Sequence, residues 1–326
     1  MRSESRERAV VTGAAGFIGS HLCEALIARG HHVVGVDSFS DTYARSIKSA
    51  NLDGVRDSKA FTFVEGDLND LALDRVLEGA ALVFHCAARA GVRTSWGDDF
   101  RHYVHDNLLA TQRLLEASRR HAITRFVFTS SSSVYGDARA LPVTEDSPTA
   151  PISPYGATKL SGEDLCRVYR ACYGVPFVAL RLFTVYGPRQ RPDMAFHKFL
   201  RAVRAGRAIE LFGDGSQTRD FTFVADAVRA IVAAASAPHA VGEVINIAGG
   251  SRVALRDVLD AIAHVVGARP DVTYLSQGTG EATHTFASIA KAERLLGYAP
   301  SVDLRHGLAE EHAWLLALEQ RVRVEG

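Results

Sequence analysis

The chain has 326 residues, 47% of them hydrophobic and 23% charged, with 37 Lys and Arg balancing 37 Asp and Glu. That length exceeds what one core usually serves, so a large α/β unit with a smaller lobe is expected, and the apolar content excludes a disordered chain. The even charge excludes the basic excess of a nucleic-acid or membrane-surface binder, and no apolar run is long enough to span a bilayer, so a small-molecule partner gains weight.

Residues 1–8 are polar and no export-type apolar stretch follows them, which makes the cytoplasm the expected compartment. Cys23, Cys86, Cys166 and Cys172 form no CxxC pair and lie in apolar or helical stretches, so buried, reduced thiols are expected and no metal site. In chain order, Ala9–Val11 reads as a strand that turns at Thr12-Gly13 into a helix carrying Ile18, Leu22, Ala25 and Leu26 at helical spacing. Strands follow at 32–37, 61–64, 81–85, 125–129 and 177–180, with amphipathic helices between them, notably 106–120 and 154–173. Alternating strands and helices predict a doubly wound, parallel Rossmann sheet. From about Leu182 turn signals crowd in, at Gly187-Pro188, Pro192-Asp193 and Phe212-Gly-Asp-Gly215. The division predicted is 1–182, with 222–248 returning to it, for the large domain. The smaller α/β lobe is placed at 183–221 and 249–326.

The segment Thr12-Gly13-Ala-Ala-Gly16-Phe17-Ile18-Gly19 falls where the first strand becomes the first helix. Gly13 permits the tight turn, Gly16 lets backbone approach a pyrophosphate, and Gly19 lets the helix pack closely, so free N–H groups and the helix dipole face the phosphates. The spacing is GxxGxxG. Asp37 closes the second strand, where a carboxylate accepts hydrogen bonds from an adenosine ribose and repels a 2′-phosphate. Ser38, Phe39 and Ser40 follow without an adjacent cation, so NAD is expected in preference to NADP. Asp67 and Leu68, after the third strand, are candidates for the adenine end.

Tyr155 and Lys159 stand four residues apart, on one face of a helix, and the ammonium is expected to lower the tyrosine pKa so that it serves as a base. The run Ser130-Ser131-Ser132-Ser133 places hydroxyls at the carboxyl end of the fifth strand, where open α/β sheets bind ligands.

With these motifs the chain resembles the extended short-chain dehydrogenase/reductases, the nucleotide-sugar epimerases and dehydratases, from about Ala9 to Leu308. The resemblance rests on TGAAGFIGSHL, Asp37, Gly66-Asp67-Leu68, His85-Cys-Ala-Ala88, SSSSVYG, YGATK, LRLFTVYGPR, Arg219-Asp220-Phe221 and Leu296-Gly-Tyr-Ala-Pro300. It implies tightly held NAD, a smaller lobe for a nucleoside diphosphate sugar, and Ser131, Tyr155 and Lys159 as catalytic residues beside Ser132. Ala87, Tyr155 and Lys159 would join the glycines at the cofactor.

Dehydratases and decarboxylases of this family carry an acidic residue where this chain has Ser132 and Ser133, which favours plain epimerisation. The loop Gly187-Pro-Arg-Gln-Arg191-Pro-Asp-Met-Ala195 is similar to that of UDP-glucuronate 4-epimerases. By that likeness Arg93, Thr184 and Arg191 would surround the sugar carboxylate, with Ala195 nearby and Arg219 at the diphosphate. The implied reaction has Tyr155 take the C4 hydroxyl proton while hydride passes to NAD. The 4-keto sugar then turns over and hydride returns to its other face. Rival readings are a UDP-glucose 4-epimerase, a dehydratase or decarboxylase, and an NAD-sensing scaffold without turnover. One departure stands out: Phe286-Ala-Ser288 replaces the family's Ala-Asp pair; Glu281 follows Gly280 where an acidic nucleotide contact is often found in the family, with an atypical flank. The helices 106–120 and 154–173 suit the homodimer that the resemblance implies.

Overall fold

The computed structural model describes residues 7–276 and 278–325, with side chains placed to residue 320. Residues 1–6 of the polar opening lie outside the described residues. Seven strands form one parallel sheet: β1 (Arg8–Thr12), β2 (His32–Asp37), β3 (Phe61–Glu65), β4 (Ala80–His85), β5 (Arg125–Ser131), β6 (Phe177–Leu182) and β7 (Val244–Ile247). Their order is β3-β2-β1-β4-β5-β6-β7. Every residue of β6 and β7 is buried, as a strand covered on both faces requires. Side chains alternate between the two faces: Ala9 and Val11 join one core, with the helices Phe17–Ala28 and Val224–Ser236, while Val10 joins the other, with Ala110–Ser118 and Pro154–Tyr173.

Because β1 lies between β2 and β4, the chain leaves the sheet in opposite directions on either side of β1, and a crevice opens at the carboxyl ends. Over this edge lies sequence from the second half of the chain. Ile209–Phe212 pairs in parallel with Val272–Leu275, and Thr218–Asp220 antiparallel with Arg252–Ala254. The helices Ala195–Arg204, Leu255–Val266 and Leu304–Glu325 pack around them. Asp220 ties the region together, its buried carboxylate accepting from Gly249 N at 2.8 Å and Ala287 N at 3.3 Å.

Two expectations need correction. The helix predicted over 106–120 begins at Phe100, passes through a π turn at Val104–Leu109 and ends at Ser118. Within that turn the Asn107 amide faces inward, accepting from Arg89 N (2.8 Å) and donating to Arg89 O and Thr158 Oγ1 (3.0 Å each). All four cysteines are free, but only Cys23 and Cys166 are buried; Cys172, at the end of its helix, is exposed. No helix among the described residues is long and apolar enough to cross a membrane.

Candidate active site

The crevice is a cleft of about 1170 Å³, and every site residue read from the sequence lines it, from Gly13, Gly16, Phe17, Ile18 and Gly19 to Ala195 and Arg219. Its cofactor end is built on the β1 turn. Gly13 has φ +70°, and a Cβ there would stand 2.8 Å from Ala87 N, so only glycine lets the turn lie against the end of β4. A Cβ on Gly19 would stand 2.0 Å from Gly13 O, which is why the helix can close on the turn only without one. A Cβ on Gly16 would meet nothing but Gly13 within 4 Å, so its outer side stays open to a ligand. Thr12 Oγ1 and His85 Nδ1 are 2.8 Å apart, and Ala87 N donates to Thr12 Oγ1. Burial pushes His85 down to about 3, so it acts here as a neutral strut.

The Asp37 carboxylate accepts from Ala15 N (3.0 Å) and Phe39 N (2.9 Å), bracing the glycine turn while it lines the cleft. Burial raises its pKa, against the pull of those bonds. Asp67 and Leu68 line the same end. Lys48, which the sequence reading missed, also reaches the cleft, from the helix Arg45–Asn51. Its ammonium is committed to Ser40, at 2.7 Å to the carbonyl and 3.1 Å to the hydroxyl.

At the reacting end, Ser153 caps the helix Pro154–Tyr173, accepting from Gly156 N at 3.1 Å, which puts Tyr155 in its first turn. Ser131 closes β5 opposite, its Oγ accepting from Ser133 N. Beneath them Ser130 Oγ donates to Glu163 (2.5 Å), and Arg181 makes a two-pronged ion pair with the same carboxylate (2.9 and 2.8 Å), all buried. Strand end and catalytic-type helix are thereby joined by a satisfied charge network.

The expected effect of Lys159 on Tyr155 is not what the structure has. Burial raises the Tyr155 pKa, and the groups that hold it down are the Ser131 hydroxyl and then the Arg191 guanidinium. Lys159 instead donates to Thr129 O at 2.8 Å, and burial brings it down to about 8. A four-residue spacing puts both groups on one helix face but does not make their polar ends meet.

Arg191 donates to Asp193 through Nε (3.0 Å) and Nη2 (2.6 Å), and to Ala90 O at 3.2 Å. Thr184 and Ser132 line the cleft with it. Arg93 also lines the cleft; it pairs with Glu281 at 2.6 and 3.1 Å and lies 3.7 Å over the Phe212 ring. Burial lowers the Arg219 pKa, against the opposing charges of Glu281 and Asp137 and with that of Arg93. Arg219 donates to Thr218 O and Thr283 O. The atypical Phe286–Ser288 segment pairs with Val143 and leaves the cleft lining to Thr285. Asn107 was also missed; an inward-turned amide across from Arg89 has no sequence signature.

A glycine turn whose Gly16 is open toward the cleft at a helix N-terminus, an acid at the end of β2 and a serine–tyrosine pair in one crevice define a dinucleotide-using enzyme. The family model described as NAD dependent epimerase/dehydratase family matches residues 9–248. The chain belongs to this family, and its cofactor is NAD. It is 46% identical over 312 residues, 95% of this chain and 98% of the relative, to the uncharacterized UDP-glucose epimerase YtcB of Bacillus subtilis strain 168. It is 35% identical over 310 residues, 94% and 95% of the two chains, to the UDP-glucuronate 4-epimerase of Thermodesulfobacterium geofontis strain OPF15. The crystal structure of UDP-glucuronic acid 4-epimerase from Bacillus cereus in complex with UDP-glucuronic acid and NAD is similar at a TM-score of 0.93 and 43% identity. That match covers 95% of this chain and 99% of the other.

Proposed function

We propose that the chain is an NAD-dependent UDP-sugar 4-epimerase whose substrate is UDP-glucuronate, interconverted with UDP-galacturonate. The observation that carries the sugar assignment is Arg191: it lines the cleft, and its charge acts on the Tyr155 phenol, so a carboxylate bound there would lie beside the reacting carbon. Its Nε and Nη2 serve Asp193 and Ala90, leaving Nη1 for the sugar. A buried anion must be paired, because desolvating it alone is costly.

Gly13, Gly16, Phe17, Ile18, Gly19, Asp37, Asp67, Leu68 and Ala87 would hold NAD, with Tyr155 and Lys159 at its reactive end. Bound NAD supplies a hydride acceptor that returns the hydride. Tyr155 exchanges the C4 hydroxyl proton, and Ser131 shares that proton at the strand end. Lys159 anchors the helix of Tyr155 to Thr129 O, and so keeps the phenol at its distance from Ser131. Arg191 and Thr184 bind the carboxylate, while Arg93 and Arg219 face the diphosphate, with Ser132 and Ala195 closing the sugar seat. Firm binding of the carboxylate also guards the 4-keto stage, at which the sugar is a β-keto acid able to lose carbon dioxide.

The two-lobe division at 182/183, with 222–248 returning, supports this reading by setting the cleft between cofactor and sugar sides. A homodimer is supported by the apolar Val104, Leu109, Val168 and Tyr173, all exposed on the helical stretches 100–118 and 154–173. Free cysteines suit the cytoplasm. The test is a panel of nucleotide sugars incubated without added reductant and resolved by NMR. UDP-glucuronate should give an epimer of unchanged mass. Faster turnover of UDP-glucose would replace the reading with a UDP-glucose 4-epimerase, a changed mass would make it a dehydratase or decarboxylase, and no turnover an NAD-sensing scaffold.

A further inference from the structure

The loop that carries Arg191 is held residue by residue before Arg191 is reached. Gly187 N donates to the buried carboxylate of Glu311 at 3.0 Å. Pro188 O accepts from His21 Nε2 at 2.9 Å. Arg189 donates to Glu24 at 2.6 Å and to Ser20 Oγ at 3.3 Å. Ser20, His21 and Glu24 share one face of the helix Phe17–Ala28, whose first turn opens at Gly16. His21 is driven down to about 4 by burial and the neighbouring Arg189, so it is neutral at pH 7 and gives its Nε2 proton to the carbonyl. Arg189 itself has φ +66°, a left-handed conformation that a side-chain-bearing residue keeps only when its surroundings hold it. Its side chain is 18% exposed and that of Glu24 33%, so the ion pair is partly shielded from the screening that weakens surface pairs.

We propose that Arg189 is a positioning residue for sugar recognition: it latches the loop to the cofactor-binding helix and so sets where Arg191 stands relative to Tyr155. The inference rests on the reading of Arg191 as the carboxylate-binding residue. A loop free of the latch would have to be ordered each time the acidic sugar binds, and that cost would appear in affinity for this sugar.

Arg189→Asn is the chosen variant, because asparagine tolerates the left-handed backbone while removing the charge; Glu24→Gln breaks the pair from the other side. On purified holoenzyme, each single variant should raise KM for UDP-glucuronate about tenfold, with kcat falling less than about threefold. Calorimetric affinity for UDP-glucose should change less than about twofold, and retained NAD should match wild type. The double variant should be no worse than the worse single one, and Arg189→Lys should recover most of the loss. Equal weakening of both sugars, or additive effects of the two singles, overturns the latch. Arg191→Ala is run alongside: if it is selective for UDP-glucuronate and Arg189→Asn is not, the latch alone fails. If Arg191→Ala weakens both sugars alike, the carboxylate reading fails and the latch with it.

Discussion

Arg191→Ala removes a guanidinium that lines the cleft and acts on Tyr155. Two of its nitrogens are committed to Asp193 and Ala90, so the loss to substrate is one charge-assisted hydrogen bond, about 1.5–3 kcal/mol. The abandoned Asp193 has a side chain 51% exposed, so water can solvate it and little is added to the cost. Catalytic efficiency on UDP-glucuronate should therefore fall about ten- to a hundredfold. Efficiency on UDP-glucose should change much less. Arg191 lowers the Tyr155 pKa, so its removal should also shift the alkaline-side rise of kcat with pH to higher pH. With the carboxylate less firmly held, UDP-pentose should appear as a by-product. The assay follows both sugars by NMR across pH, with pentose resolved. Equal slowing of both sugars would overturn the carboxylate reading, and an unmoved pH profile would overturn the effect of Arg191 on Tyr155.

Tyr155→Phe should leave fold and retained NAD intact while nearly abolishing turnover, since it deletes the proton-exchanging oxygen and little volume; wild-type rates would remove Tyr155 from the mechanism. Asp37→Ala should weaken NAD binding by about 1.5–3 kcal/mol, read as cofactor lost on gel filtration, because its carboxylate also braces Ala15 N and Phe39 N. Glu311 is pushed up to about 8 by burial, so the folded protein binds a proton that the unfolded chain releases near its ordinary value of 4.5. Its contribution to stability should be complete below that value and be lost as pH rises toward 8. Glu311→Gln, which keeps an acceptor for Gly187 N, should raise Tm relative to wild type more at pH 8 than at pH 5; an equal offset at both would contradict the assignment.

What could be read from the chain is what local geometry dictates. The glycine turn, Asp37 at the end of β2, the serines closing β5 and the capped helix of Tyr155 each follow from spacing and turn chemistry within a short segment. The rest depends on groups distant in the chain. The π turn at Val104–Leu109 holds Asn107, whose partners Arg89 and Thr158 lie on other elements. Arg93 lines the cleft while held by Glu281 and Phe212, partners far along the chain. Lys159 shares a helix face with Tyr155, yet its ammonium answers to Thr129 O, because a buried cation takes the acceptor that packing offers. Lys48 escaped notice because it comes from the helix after β2, not from the residues beside Asp37.

The central claim is epimerisation at C4 of UDP-glucuronate by hydride removal and return within one site. Its most direct test is incubation of the purified protein with UDP-glucuronate carrying deuterium at C4, with NMR and mass analysis of the product. UDP-galacturonate of unchanged mass, with the deuterium still at C4, is expected. Loss of the label to solvent, a pentose as the main product, or no change at C4 would contradict it.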